Sequence, residues 1–312
     1  MFSKTKYPYN SELKKPDTYG NFDLQTIIDN GVLEANMKYV TGPVKKFKSD
    51  EVYFEPSTYP SFDGKMLDYY SFIPKVKQDR YPAIIYYHGG GFMFPLQKCM
   101  LDNSVIYSKE LNARVFVPEY RVALQVSCDV VLEDCYAMLK FVFEHAEELQ
   151  VDTNRVILYG DSAGGCLAES VTLMNRDRDA FPLCGQVLCY PVCDNESERY
   201  ESVELFQEAA WSKNANQTMW RTYLRGGTNL PKYVVPMRNN LSGLPKAYIE
   251  PQGIDTLRDE AIAYENKLRA SSVETVLNVI PGSYHGFDAD LDNALVKRVI
   301  RQRLDFMQRC FI

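Results

Sequence analysis

The chain is short of the residue types and runs that would commit it to several functional classes. Only 3 histidines occur in 312 residues, so any imidazole base must be His88, His145 or His285. No uninterrupted apolar run approaches the roughly 18 residues that a spanning helix needs. Met1 to Asn10 lacks the apolar stretch of an export signal, so a cytoplasmic protein without a membrane span is expected. The 35 Lys and Arg do not outnumber the 41 Asp and Glu, the net charge is −6, and the basic residues form no stripe. Nucleic acid is therefore not an expected partner. The 8 cysteines lack the spacing of a disulfide framework and are expected as packed thiols. Cys184, Cys189 and Cys193 cluster without a C-x-x-C pair or a nearby histidine, so neither a metal nor a cofactor is expected.

What is present has globular statistics, with 46% hydrophobic and 24% charged residues, and supports one α/β domain over 1–312. From about Tyr81, short β-rich runs alternate with runs of helical period, as in a mostly parallel sheet covered by helices on both faces. Strands are predicted at 83–87, 114–118, 156–159, 185–190, 247–250 and 276–280. Helices are predicted around Leu132 to Phe143, Leu257 to Leu268 and Val296 to Met307. Two stretches stand outside this alternation: 1–48, polar and rich in tyrosine, and 194–240, which holds both tryptophans. Either could cap the carboxyl ends of the strands.

Val156 to Gly165 reads V-I-L-Y-G-D-S-A-G-G, a strand, a serine between glycines, and a helix start, which is G-x-S-x-G in its structural context. A nucleophile on so tight a turn tolerates only small neighbours, and Gly160 and Gly164 fill those places. Ser162 would stand at a helix N-terminus, with the Ala163 N–H as one donor to an oxyanion. His88-Gly89-Gly90-Gly91-Phe92 follows the strand 83–87, where the N–H groups of Gly90 and Gly91 can reach the same oxygen. His88 and Gly89 are read as support for that loop.

His145 lies in a helical run among Glu144, Glu147 and Glu148 and suits a solvated surface. His285 follows a strand and precedes the last helix, which places it at a strand end. In this arrangement the acid comes between serine and histidine in chain order. Asp255 follows the strand 247–250, whereas its rivals Asp259 and Glu260 fall in a first helical turn, where acids commonly stabilise the dipole.

These motifs resemble those of the hormone-sensitive-lipase-like esterases, from about Ile84 to Phe287. The likeness includes H-G-G-G, Glu119-Tyr120-Arg121, G-D-S-A-G-G, Leu241-Ser242-Gly243-Leu244-Pro245, Asp255-Thr256-Leu257-Arg258-Asp259-Glu260 and Tyr284-His285-Gly286-Phe287. Departures are Val122-Ala123-Leu124-Gln125 after Arg121, and Val235 before Pro236. The resemblance implies the α/β-hydrolase fold, a small helical cap, and a Ser162, Asp255 and His285 triad with Gly90, Gly91 and Ala163 as oxyanion donors. The expected activity is hydrolysis of small or short-acyl esters through an acyl-enzyme. An amide or formamide hydrolase with the same triad, or a non-catalytic ligand-binding receptor, are the alternatives. Phe92, Trp211 and Trp220 are candidates for the substrate pocket.

Overall fold

The computed structural model describes residues 7–14, 23–31, 44–227 and 230–312. Most of the first segment expected to cap the site (1–6, 15–22 and 32–43), and residues 228–229 of the second, lie outside the described residues. The sheet begins with an antiparallel pair that the alternation beyond Tyr81 does not announce, β1 (Val52–Pro60) on β2 (Met66–Pro74). β2 also runs antiparallel to β4 (Arg114–Pro118). The remaining strands are parallel: β3 (Tyr81–Tyr87), β5 (Val151–Asp161), β6 (Gly185–Cys189), β7 (Ala247–Glu250) and β9 (Thr275–Leu277). Among the described residues the spatial order is β1-β2-β4-β3-β5-β6-β7-β9.

The central strands are apolar on both faces, and side-chain alternation divides them between two cores. Ala83, Ile85, Val156, Leu158, Leu188 and Ile249 pack under α3 (Cys128–Glu144), α4 (Ala163–Asp177) and α7 (Arg258–Ala270). Ile84, Tyr86, Ile157, Tyr159, Val187 and Tyr248 face α2 (Lys98–Leu111) and α8 (Ala294–Cys310) on the other side. The helices α1 (Leu24–Asp29), α5 (Glu201–Leu205) and α6 (Lys213–Leu224) add to these layers, with Leu24 of α1 and Ala215, Met219 and Tyr223 of α6 buried in the first core. α1 packs on α6, with Arg221 bonded to Gln25 at 3.0 Å.

The strand expected at 276–280 is in fact divided. β9 ends at Leu277, and Ile280 opens a separate strand, β10 (Ile280–Tyr284), parallel to β8 (Gln252–Ile254). The break has a hydrogen-bond cause. The Asn278 N–H still bonds to Ile249 of β7 at 2.9 Å, but the Ile280 N–H turns to Pro251 O at 3.0 Å, leaving the edge of the large sheet. In the small ribbon Tyr284 lies opposite Ile254, so the next residue on each strand, His285 and Asp255, leaves it side by side.

Beneath these loops is a buried ion network. The Arg303 guanidinium in α8, wholly enclosed, donates to Glu250 (Nε to Oε2, 2.9 Å) and to Asp288 (Nη1 to Oδ2, 2.7 Å). The hydroxyls of Tyr107 and Tyr159 each lie 3.3 Å from it. One cation thus ties the last helix to the end of β7 and to the turn after His285. Removing it would leave two buried carboxylates without a counter-charge. Arg303→Met is expected to lower the unfolding free energy by about 3–5 kcal/mol, read as a lower midpoint in urea; an unchanged midpoint would contradict this.

Glu119, just past β4, accepts from the Leu96 N–H at 3.2 Å and so ties the loop that leads into α2. Burial pushes its carboxyl up to about 7. A carboxyl raised in this way favours the fold fully below its unfolded value of about 4.3, and that contribution is lost as the pH rises to about 7. Glu119→Gln is expected to abolish a loss of about 2–3 kcal/mol between pH 5 and pH 8, measured by urea unfolding at both pH values. A wild type of equal stability at both would contradict it.

Candidate active site

β5 ends at Asp161 and α4 begins at Ala163, so Ser162 alone makes the turn between them, with φ 54° and ψ −122°. A non-glycine residue held there stores on the order of 1–3 kcal/mol of backbone strain. The turn is held by Ser162 N–H to Cys189 O at 2.8 Å and by Val192 N–H to Ser162 O at 3.1 Å. The glycines expected beside it are required by close approach. A Cβ on Gly160 would come within 2.0 Å of Gly164 O, and one on Gly164 within 2.0 Å of Tyr87 O.

The Ser162 hydroxyl lies 2.8 Å from His285 Nε2, and His285 Nδ1 lies 2.7 Å from Asp255 Oδ2. Asp255 is fully buried, and its other oxygen accepts from the Leu257 N–H at 3.1 Å. The rival acids point elsewhere: Asp259 accepts from the Ser202 N–H at 2.8 Å, and Glu260 from the Cys193 N–H at 2.8 Å. Such a chain can pass the hydroxyl proton to the imidazole while the carboxylate fixes the tautomer and the ring.

The glycine loop meets the turn. Gly89 N–H donates to Asp161 Oδ1 at 3.2 Å, and the loop reverses through Gly90 (φ 109°) and Gly91 (φ 58°). Among the described residues the N–H groups of Gly90, Gly91 and Ala163 have no acceptor, while Gly90, Gly91 and Ser162 share the lining of one cavity. His88 is wholly buried beneath the loop, stacked on Tyr120 with ring centres 4.3 Å apart and Nδ1 2.8 Å from Gly89 O. Burial lowers its pKa to about 4, so the ring is neutral at physiological pH and supports the loop by packing. His145 caps α3 and stacks on Phe141, away from this cluster.

The cavity above Ser162 has a volume of about 390 Å³, within the usual range for small-molecule sites. Of the three aromatic residues expected to line it, only Trp211 does, stacked on His285 at 5.6 Å. Phe92 is fully buried against Tyr223 at 3.8 Å and fills the core under α6. Trp220 borders a separate surface hollow with Glu196 and Arg199. Both are therefore corrected to packing residues for this cavity.

The lining that sequence reasoning missed comes from α2 (Cys99, Met100 and Asn103) and from Asp161, Tyr190 and Asp288. Tyr190 sets its ring edge against His285 at 4.9 Å and donates its hydroxyl to Asp288 Oδ1 at 2.7 Å. Asp161 adjoins the nucleophile motif and could have been suspected on that ground; the α2 residues carry no motif. Burial pushes the Asp161 carboxyl up to about 6. All eight cysteines are unpaired thiols, and among the described residues no group of three or more His, Cys, Asp or Glu could hold a metal ion. No described helix is long and apolar enough to cross a membrane.

Known proteins resemble this chain in sequence and fold. Residues 84–289 match the sequence profile of a family described as having the alpha/beta hydrolase fold. The chain is 30% identical over 221 residues to the carboxylesterase NlhH of Mycobacterium tuberculosis, covering 69% of each. It is 26% identical over 219 residues to an arylesterase of Saccharolobus solfataricus, covering 68% of this chain and 70% of that one. The structure of a bacterial heroin esterase superposes with a TM-score of 0.83 at 26% identity, over 97% of this chain and 98% of that one. The fold, its motifs and these relatives agree, and the chain belongs to the hormone-sensitive-lipase-like family of α/β-hydrolases.

Proposed function

We propose that the protein hydrolyses small or short-acyl carboxylic esters through an acyl-enzyme on Ser162. It is a carboxylesterase-type hydrolase. The observation that carries the serine mechanism is the unbroken contact from Ser162 Oγ through His285 to Asp255, 2.8 Å and 2.7 Å long, below a cavity lined by Gly90 and Gly91, whose N–H groups have no acceptor among the described residues.

His285 Nε2 takes the hydroxyl proton as Ser162 Oγ attacks the ester carbonyl, and Asp255 holds Nδ1 and balances the imidazolium. The amides of Gly90, Gly91 and Ala163 receive the negative charge on the carbonyl oxygen. His285 then returns its proton to the departing alcohol, and water repeats the attack on the acyl-serine. Residues 1–48 and 194–240 would cap the single 1–312 domain, a reading supported by α1 resting on α6 and by Trp211 over His285. The 390 Å³ cavity fits a short acyl chain better than a long lipid. Eight unpaired thiols suit a reducing, cytoplasmic setting.

The test is turnover of p-nitrophenyl acetate, with the p-nitrophenol burst recorded before the steady state. Ser162→Ala is expected to lose about 10⁶-fold in kcat and all of the burst; turnover equal to wild type would refute the mechanism. Asp255→Asn, which keeps the shape of the site but holds His285 in the wrong tautomer, is expected to lose about 10⁴-fold in kcat. A loss below about tenfold would remove Asp255 from its role.

A further inference from the structure

The cavity carries more polar chemistry than ester cleavage uses. α2 turns one face toward it, since Cys99, Met100 and Asn103 fall at helical spacing and all line it. Asn103 is only 7% exposed, its Oδ1 has no hydrogen-bond partner, and among the described residues its carboxamide makes no bond at all. A buried amide without a partner costs free energy unless something fills the place.

Two carboxylates border the same recess. Asp161 and Asp288 both line the cavity, and the charge of each bears on the Cys99 thiol, which, chiefly by burial and further by these charges, is pushed up to about 11. Asp288 is bonded to Arg303, but that single cation also serves Glu250. Arg303 is thus shared between Asp288 and Glu250, and among the described residues no Lys or Arg lines the cavity. The recess has an unused amide and an excess of negative charge.

Resting on the esterase reading above, we propose that the recess formed by Asn103, Asp161 and Asp288 recognises a protonated amine carried by the ester substrate, with the ammonium N–H donating to the Asn103 carboxamide. A neutral chain of the same shape would leave the amide unpaired and gain nothing from the carboxylates, and sites built to bond a polar group discriminate against isosteres that lack it. An alkylamine, with a pKa near that of lysine, is protonated at the working pH.

The experiment compares kcat/KM at pH 7.5 for acetates of three alcohols of matched shape: 3-(dimethylamino)propanol, 4-methylpentanol and 3-(trimethylammonio)propanol. The two-carbon and four-carbon homologues of each are included to allow for depth. At the best spacing, the dimethylamino ester is expected to exceed the neutral ester by about tenfold or more, the range for a bond to a charged group, and also to exceed the trimethylammonio ester, which has charge but no N–H. The preference should appear in KM more than in kcat. Asn103→Leu should cut the amine-to-neutral ratio to below half, and Asn103→Asp should raise it; a ratio is independent of the fraction of folded enzyme. Neutral esters hydrolysed with no amine preference above twofold at any spacing would overturn this proposal alone. A preference shared equally by the trimethylammonio ester and untouched by either Asn103 variant would overturn the part assigned to Asn103. Failure to hydrolyse any of the nine esters, with Ser162→Ala indistinguishable from wild type, would instead overturn the esterase reading.

Discussion

The site depends on the pairing of two very short strands. β8 and β10 together contribute eight residues, yet their parallel register, with Ile254 opposite Tyr284, sets Asp255 and His285 as neighbours in space although 30 residues separate them in the chain. A slip of one residue in that register would turn one of the two side chains to the opposite face of the ribbon. The serine comes from the other side, at the end of a central strand whose neighbours on both flanks fix its position. A buried carboxylate, an imidazole and a hydroxyl in line therefore follow from tertiary pairing, and no local propensity could have supplied them.

This arrangement is held under load. Ser162 keeps a left-handed backbone that larger residues at 160 or 164 would make impossible, and it is clamped by a carbonyl of β6 that accepts its N–H and by the Val192 N–H from the segment after β6. The His285 side is braced from below, because Tyr190 touches the ring and is bonded to Asp288, which Arg303 ties to the last helix. Local strain at a reactive group persists only where the surroundings over-determine it. Here the surroundings are the sheet on one side and a buried ion network on the other.

Much of this was legible in the residues. The parallel strands show as short continuous apolar runs and their covering helices as a period of 3.6, and the two glycine motifs mark the nucleophile turn and the loop beside it because few other residues fit such close approaches. What escaped did so for physical reasons. β1 buries little of its length and contains Pro56 and Pro60, so it reads as irregular chain. β10 reads Ile-Pro-Gly-Ser-Tyr, a turn by composition, and is a strand only because β8 lies beside it. Phe92 looked like a pocket residue because it follows the glycine loop, and Trp220 because it lies in the segment expected to cap the site, but Phe92 packs against Tyr223 and Trp220 of α6 instead. Asn103 carries no motif and is visible only once α2 is set against the cavity.

The most direct test of the central claim is covalent labelling with a fluorophosphonate, followed by mass spectrometry of the intact protein and of its peptides. An activated serine beside an imidazole and convergent amides should take up one phosphonyl group per chain, located on Ser162, with loss of esterase activity in proportion. A folded protein that takes up no label under conditions that saturate a known serine esterase, or that carries it on another residue while Ser162 stays free, would contradict the assignment.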